Sequence, residues 1–133
     1  MVLTATVTHV ADGKFDGTTE SGHTVRIEGG EHETGPSPME LVLVALGSCS
    51  AVTVVEFLRK MRQEFTSLEV EISGERAESP PKVYTKIHAS YRIAGDVERA
   101  RVERAIELTE QKYCSVFTML AKTAEMTHTI EFV

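Results

Sequence analysis

Apolar and polar residues change rhythm several times along this chain, and each change marks an element. Residues 4–10 and 23–28 are rich in Val, Thr and Ile. Gly13, Gly17 and Gly22 lie between them as turn signals, so the chain is predicted to open with two strands. Residues 28–36 are polar and Gly-rich and read as a loop. Ser37, Pro38 and Glu40 then announce a helix. Ser at the N-cap, Pro at the first helical position and Glu three after the Ser make a capping box. Gly47 is the only breaker before Arg62, so this helix is predicted to span about 26 residues, or roughly 39 Å at the usual rise. Its first part is apolar all round, which demands burial on every side. A chain of 133 residues can hardly surround such a rod alone, so a second subunit is expected to help cover it.

Period 2 returns in residues 67–78 and 82–93. There Leu68, Val70 and Ile72 alternate with Glu69 and Glu71, and Val83, Thr85 and Ile87 alternate with Tyr84 and Lys86. Two such runs, joined at Ser79, Pro80 and Pro81, suit antiparallel strands with one solvated face. After the turn Ala94-Gly95-Asp96, with Asp96 as N-cap, residues 97–113 form an amphipathic helix. Val102, Ala105, Ile106 and Leu108 lie on one face, and Arg99, Arg101, Glu103 and Glu107 on the other. Cys114 and Ser115 interrupt that helix. Residues 116–125 read as a short helix capped by Ser115, and 127–133 as a closing strand. The order β-β-α-β-β-α-α-β, in one domain over 1–133, is α+β rather than a doubly wound sheet.

Composition narrows the function classes. The chain is 41% hydrophobic and 26% charged, the balance of a soluble globular protein. Its formal net charge of −6 argues against nucleic acid or an anionic membrane as partner, since both need a basic face. The charge-free run 41–55 is shorter than the ~20 residues that span a bilayer, and the first residues lack the positive start of a signal peptide. The expectation is a cytoplasmic protein, where thiols stay reduced unless they do redox work. His9, His23, His32, His88 and His128 show no ligand spacing, and no phosphate-cradling Gly loop is present. Glu31, His32 and Glu33 read as a solvated loop, so no metal or cofactor is expected.

The candidate chemistry rests on two cysteines. Cys49 lies within the apolar run 41–55, Cys114 follows the amphipathic helix 65 residues later, and each is followed by Ser. A buried Cys is often an inert small hydrophobe, so spacing alone leaves open a redox pair or two core residues. Apolar surroundings raise a thiol's pKa, and only the thiolate is nucleophilic, so a redox role needs a nearby cation.

The strings Pro36-Ser37-Pro38-Met39-Glu40-Leu41, Gly47-Ser48-Cys49-Ser50-Ala51 and Lys112-Tyr113-Cys114-Ser115-Val116 resemble the OsmC/Ohr family of osmotically induced and organic hydroperoxide resistance proteins. The resemblance covers essentially the whole chain and includes both Cys positions. The Ser-Pro-Met-Glu and Lys-Tyr-Cys-Ser strings look most like its YhfA-like branch. It implies an intertwined homodimer in which a long buried central helix from each chain is wrapped by sheets from both. It also implies thiol-dependent reduction of organic hydroperoxides, with Cys49 as the peroxidatic thiolate and Cys114 as the resolving thiol. A dithiol of lipoyl type would be the reductant. Arg26 stands about where the resemblance implies the activating cation, with Met39, Glu40 and Tyr113 lining the pocket.

One position departs from the family's pattern. Its peroxidase branches hold the Arg with a Glu ten residues before the reactive Cys, and this chain has Met39 there. Glu40 is about 900° of helix rotation from Cys49, hence on the opposite face, and reads as a capping residue. Glu56 shares the face of Cys49 but lies roughly 10 Å along the axis, where a solvated role is expected. The apolar surroundings of Cys49 suit an apolar hydroperoxide better than hydrogen peroxide. Met39 keeps a second reading open: a non-peroxidase dimer of the same fold that binds a small apolar ligand or senses redox state.

Overall fold

Three strands open the chain as an antiparallel meander: β1 (Ala5–Ala11), β2 (Lys14–Thr19) and β3 (Thr24–Glu28). The sequence predicts two, because Asp16 and Gly17 are poor strand residues. Pairing overrides them: Gly17 lies between Val7 and Val25 in a continuous register, and the turns at Gly13 and Gly22, both at positive φ, leave no length for a loop. The computed structural model describes residues 1–31 and 33–133, so the reading of His32 lies outside the described residues. The chain divides into two units, Met1–Val42 and Leu43–Val133. In the first, the buried Glu28 carboxylate organises the segment after β3. It accepts from the backbone N–H groups of Glu33 at 2.8 Å and Thr34 at 2.9 Å, and from the Thr34 hydroxyl. These bonds, the Thr34 hydroxyl first, hold Glu28 below the usual carboxylate range.

Helix α1 (Pro38–Lys60) starts as predicted. The Ser37 N–H donates to Glu40 Oε1 at 2.9 Å and the Glu40 N–H to Ser37 Oγ at 3.2 Å, the two halves of a capping box. It ends in a Schellman motif: the Arg62 N–H bonds the Arg59 carbonyl at 3.0 Å, and the Gln63 N–H bonds the Leu58 carbonyl at 2.8 Å. Arg62 takes the left-handed position at φ 58° that glycine usually fills. The charge-free run understates this helix, which continues through Arg59 and Lys60. At 23 residues, with mean hydropathy 2.2 over its most apolar window, α1 is long and apolar enough to cross a membrane by length and composition. In this fold it is a core helix, burying Leu46, Ser50, Val54 and Leu58 at a spacing of one turn. Its own chain covers only that stripe, and Val44 and Val52 are 61% and 62% exposed.

The second sheet contains β4 (Glu64–Arg76), β5 (Tyr84–Asp96) and β6 (Glu125–Phe132), with β5 central, antiparallel to β4 and parallel to β6. Leu68, Val70 and Ile72 face the core as their alternation predicts, opposite Ile93, Tyr91 and Ala89. At the start of β5 the prediction is off by one. The structure buries Tyr84 and exposes Val83 and Thr85, because a bulge shifts the register between Glu75 and Arg76. Tyr84 turns inward over Gly74, where an added Cβ would lie 2.5 Å from the ring.

Helix α2 (Arg99–Leu108) begins later than predicted. β5 runs on through Asp96 and takes the residue expected as cap, leaving Glu98 at the cap position without a side-chain capping bond. Val102, Ala105 and Ile106 of α2 meet Val54 and Leu58 of α1 and Ala89, Tyr91 and Ile93 of β5 in one core. Each fully buried Val, Leu or Ile of this cluster stabilises the fold by about 1.5–3 kcal/mol. The predicted continuation to 113 is not α-helical but a single π-helical turn, Thr109–Tyr113. Helix α3 (Ser115–Leu120) follows, capped not by Ser115 but by Cys114, and it stops short of 125 because Glu125 already belongs to β6. The result is the mixed α+β architecture that the sequence predicts.

Candidate active site

The π turn carries Cys114 to Cys49. An α-helical turn would end one residue earlier. Here the Cys114 N–H reaches back to the Thr109 carbonyl at 2.8 Å, and the buried Thr109 hydroxyl ties itself to the Ala105 carbonyl at 2.8 Å. The backbone turns extended at Cys114, and its sulfur accepts the Phe117 N–H at 3.4 Å, capping α3. Cys49 sits on α1 beside the buried stripe. Both cysteines are free thiols, Cys49 half-buried and Cys114 fully buried, and Cys49 is a near neighbour that helps to push the Cys114 thiol up. Burial pushes the Cys114 thiol up, and the neighbouring Cys49 adds to the shift, against the opposing hydrogen bonds of Phe117 and Ser50. Cys114 therefore holds its proton at rest.

A polar network leads away from Cys114 through the core of the second unit. The Ser50 hydroxyl donates to the Cys114 sulfur at 3.6 Å, and Ser50 is also a neighbour of the Tyr91 phenol. The Tyr91 hydroxyl donates to Glu110 Oε2 at 3.3 Å, and Glu110 Oε1 pairs with His128 Nδ1 at 2.7 Å. Burial and the neighbouring Glu110 carboxylate push the Tyr91 phenol well above its usual range. The sequence reading missed all four residues. A signal was available for two of them: Ser50 is a polar residue within an apolar i, i+4 stripe, and Glu110 lies four after the buried Ile106.

Of the other predicted residues, Arg26, Met39 and Glu40 belong to the first unit, and Tyr113 adjoins Cys114 in the second. Arg26, on β3 in the first unit, donates from Nε to Asp16 Oδ1 of β2 at 2.7 Å. That hydrogen bond, reinforced by the charge of Asp16, holds Arg26 in its charged form. Asp16 is a site candidate that the sequence did not flag. Met39 and Glu40 occupy the first turn of α1, and the Glu40 carboxylate accepts the Ser37 N–H of the capping box. Tyr113 ends the π turn, half-exposed, with its ring 5.3 Å from that of Phe57. Among the described residues, no three His, Cys, Asp or Glu side chains cluster to hold a metal ion.

Comparison with known proteins gives consistent matches. The family model described as OsmC-like protein matches residues 29–129. Protein YhfA of Escherichia coli (strain K12) is 42% identical over 120 residues, which cover 90% of each chain. The crystal structure of a hypothetical protein from Aquifex aeolicus VF5 is 32% identical, with a TM-score of 0.86 over 100% of this chain and 98% of that one. An organic hydroperoxide resistance protein from Elizabethkingia anophelis shares the fold at 13% identity, with a TM-score of 0.76 over 100% of this chain and 97% of that one.

Proposed function

The chain belongs to the OsmC-like protein family, and on that premise we propose that it reduces organic hydroperoxides with a dithiol pair. The carrying observation is that Cys49 and Cys114, which the sequence holds 65 residues apart, are near enough in the fold for Cys49 to push the Cys114 thiol up. In this reading the Cys49 thiolate attacks the terminal peroxide oxygen. The O–O bond breaks, the alkoxide leaves and takes a proton to become the alcohol, and Cys49 becomes a sulfenic acid. Cys114 then attacks that sulfur, the S–S bond forms, and the hydroxide leaves and is protonated to water. A lipoyl-type dithiol reduces the disulfide by exchange. The order of the two thiols follows from access: Cys49 is half-buried and reachable, whereas Cys114 is sealed. The organic hydroperoxide resistance protein among the structural neighbours supports this substrate class.

Arg26 keeps, from the family resemblance, its proposed role as activating cation, and its own carboxylate partner is Asp16 of the adjacent strand. Met39 and Tyr113 are proposed as apolar walls of the pocket. The protein is proposed to act in the cytoplasm as a homodimer. The ligand-binding alternative draws no support from the family or its neighbours.

The test is stopped-flow oxidation of the reduced protein by cumene hydroperoxide and by hydrogen peroxide, with free thiols counted afterwards. Loss of both thiols, faster with the organic peroxide, is expected. Cys49→Ser is expected to abolish peroxide consumption, and Cys114→Ser to leave a sulfenic acid trapped on Cys49. Equal activity in the two variants would overturn the assignment.

A further inference from the structure

Three hydroxyls stand on α1 around Cys49, and one behaves differently from the others. Ser48 Oγ donates to the Ala45 carbonyl at 3.1 Å and Thr53 Oγ1 to the Cys49 carbonyl at 3.0 Å, the ordinary back-bond of such residues in a helix. Ser50 instead sends its hydroxyl across the core to the Cys114 sulfur at 3.6 Å, 64 positions away in sequence. The Phe117 N–H donates to the same sulfur at 3.4 Å. Two donors thus converge on a sulfur whose residue has 0% exposure, and Ser50 itself is 1% exposed. We propose that Ser50 is a further catalytic residue: with the Phe117 N–H it holds the negative charge that gathers on Cys114 whenever the Cys49–Cys114 bond forms or breaks, so that a dithiol opens this bond by attacking Cys49. This rests on the reading of Cys49 and Cys114 as a reacting pair, and goes beyond it in assigning which sulfur leaves.

Stability does not account for this serine. Ser50 interrupts the buried stripe of Leu46, Val54 and Leu58. Alanine there would favour the helix more and leave no hydroxyl to desolvate. A neutral thiol is also a weak acceptor, so two donors gain little from it. A thiolate gains more, because hydrogen bonds to an ionised acceptor are about twice as strong. The arrangement therefore favours the charged sulfur over the neutral one and acts most where charge develops during reaction. Burial pushes the Cys114 thiol up, and the Phe117 and Ser50 bonds oppose that rise. Access sets the direction of reduction. Cys49 is half-buried and Cys114 sealed, so an incoming thiolate meets Cys49. Its sulfur bonds Cys49, the Cys49–Cys114 bond breaks, and the electron pair stays on Cys114 in front of the two donors. Cys114 takes its proton from the second thiol of the reductant. That second sulfur, now a thiolate, attacks the first, closes a cyclic disulfide and releases Cys49 as a thiolate. The dithiol loses two electrons and the protein disulfide gains them. When the bond forms, Cys114 attacks the sulfenic acid of Cys49, and its proton goes to the departing hydroxide, which leaves as water.

The experiment contains no peroxide. Full-length protein is oxidised with diamide and then reduced by dihydrolipoamide, with lipoamide absorbance giving the rate. The reverse rate comes from reduced protein mixed with lipoamide. Ser50→Ala is expected to slow both rates by the same factor, about tenfold, and to leave the reduction potential of the pair unchanged. Charge held only in the transition state has this signature, whereas altered packing moves the potential or one rate alone. Ser50→Ala is also expected to melt no lower than wild type. Ser50→Thr, which keeps the hydroxyl, is expected to stay within about twofold of the wild-type rates. The Ser50→Ala comparison stands alone if the added methyl of Thr is not accommodated. Partial reduction by glutathione, stopped in acid and mapped by mass, is expected to place glutathione on Cys49. Wild-type rates in Ser50→Ala overturn the proposal, as does a shifted potential or glutathione found on Cys114. If diamide leaves both thiols free, the reacting pair falls and the proposal with it. The Ser50 signature in a protein that ignores cumene hydroperoxide upholds the proposal and sinks only the peroxidase reading.

Discussion

Single side chains set how this protein responds to pH. The Cys114 thiol is held above its ordinary value, chiefly by burial. The folded protein thus binds that proton more tightly than the unfolded chain does. This contribution to stability is complete below the unfolded thiol's pKa of roughly 8.5 and is lost as pH rises through the higher folded value. Thermal unfolding is expected to show an alkaline loss of stability that shrinks in Cys114→Ser. Glu28 has the opposite sign: its folded pKa is depressed, first by the Thr34 hydroxyl. Its contribution is present above the unfolded carboxylate's pKa, about 4.3, and disappears as pH falls through the folded one. Glu28→Gln is expected to flatten the acid limb of a urea-unfolding series, and an unaltered limb would remove Glu28 from the account. Both cysteines were legible in the sequence because their flanking strings are distinctive. The network of Tyr91 and His128 was not, because a tyrosine in an alternating strand and a histidine in an edge strand meet only through Glu110 of the π turn.

At the scale of elements, local signals were legible and non-local ones were not. The start of α1 was readable because a capping box is complete within four residues, Ser37 to Glu40. β2 was not, since its Asp16 and Gly17 are held by partners on both sides. The bulge near Thr85 and the π turn are also silent in sequence, each being one extra residue that only tertiary packing places. Two substitutions probe such sites. Arg62→Gly, at φ 58°, is expected to relieve left-handed strain and stabilise by about 1 kcal/mol, raising Tm by a few degrees. Gly74→Ala is expected to push against the Tyr84 ring and destabilise by about 1–3 kcal/mol in denaturant titration. A neutral result at Gly74 would mean that β5 gives way there.

At the scale of the whole molecule, apolar surface is left over. Val44 and Val52 of α1 are exposed, no residue of β1 is buried by its own chain, and a groove of about 610 Å³ beside α1 is lined by Val52, Val55, Phe65 and Leu68. Exposed apolar area of this kind marks an interface. Sedimentation at micromolar concentration is expected to give twice the 14.7 kDa chain mass, with Val52→Asp shifting the protein toward the monomer. A folded wild-type monomer would remove the homodimer from the proposal. The meeting of Cys49 and Cys114 has a thermal consequence as well. A bond between them closes a loop that contains β4, β5 and α2. Shortening the unfolded chain's reach in this way is worth about 4 kcal/mol, or a melting point higher by on the order of 10 °C. On the proposed chemistry the oxidised and reduced forms then differ in heat resistance, so a melting curve with and without reductant is expected to read out the state of the pair.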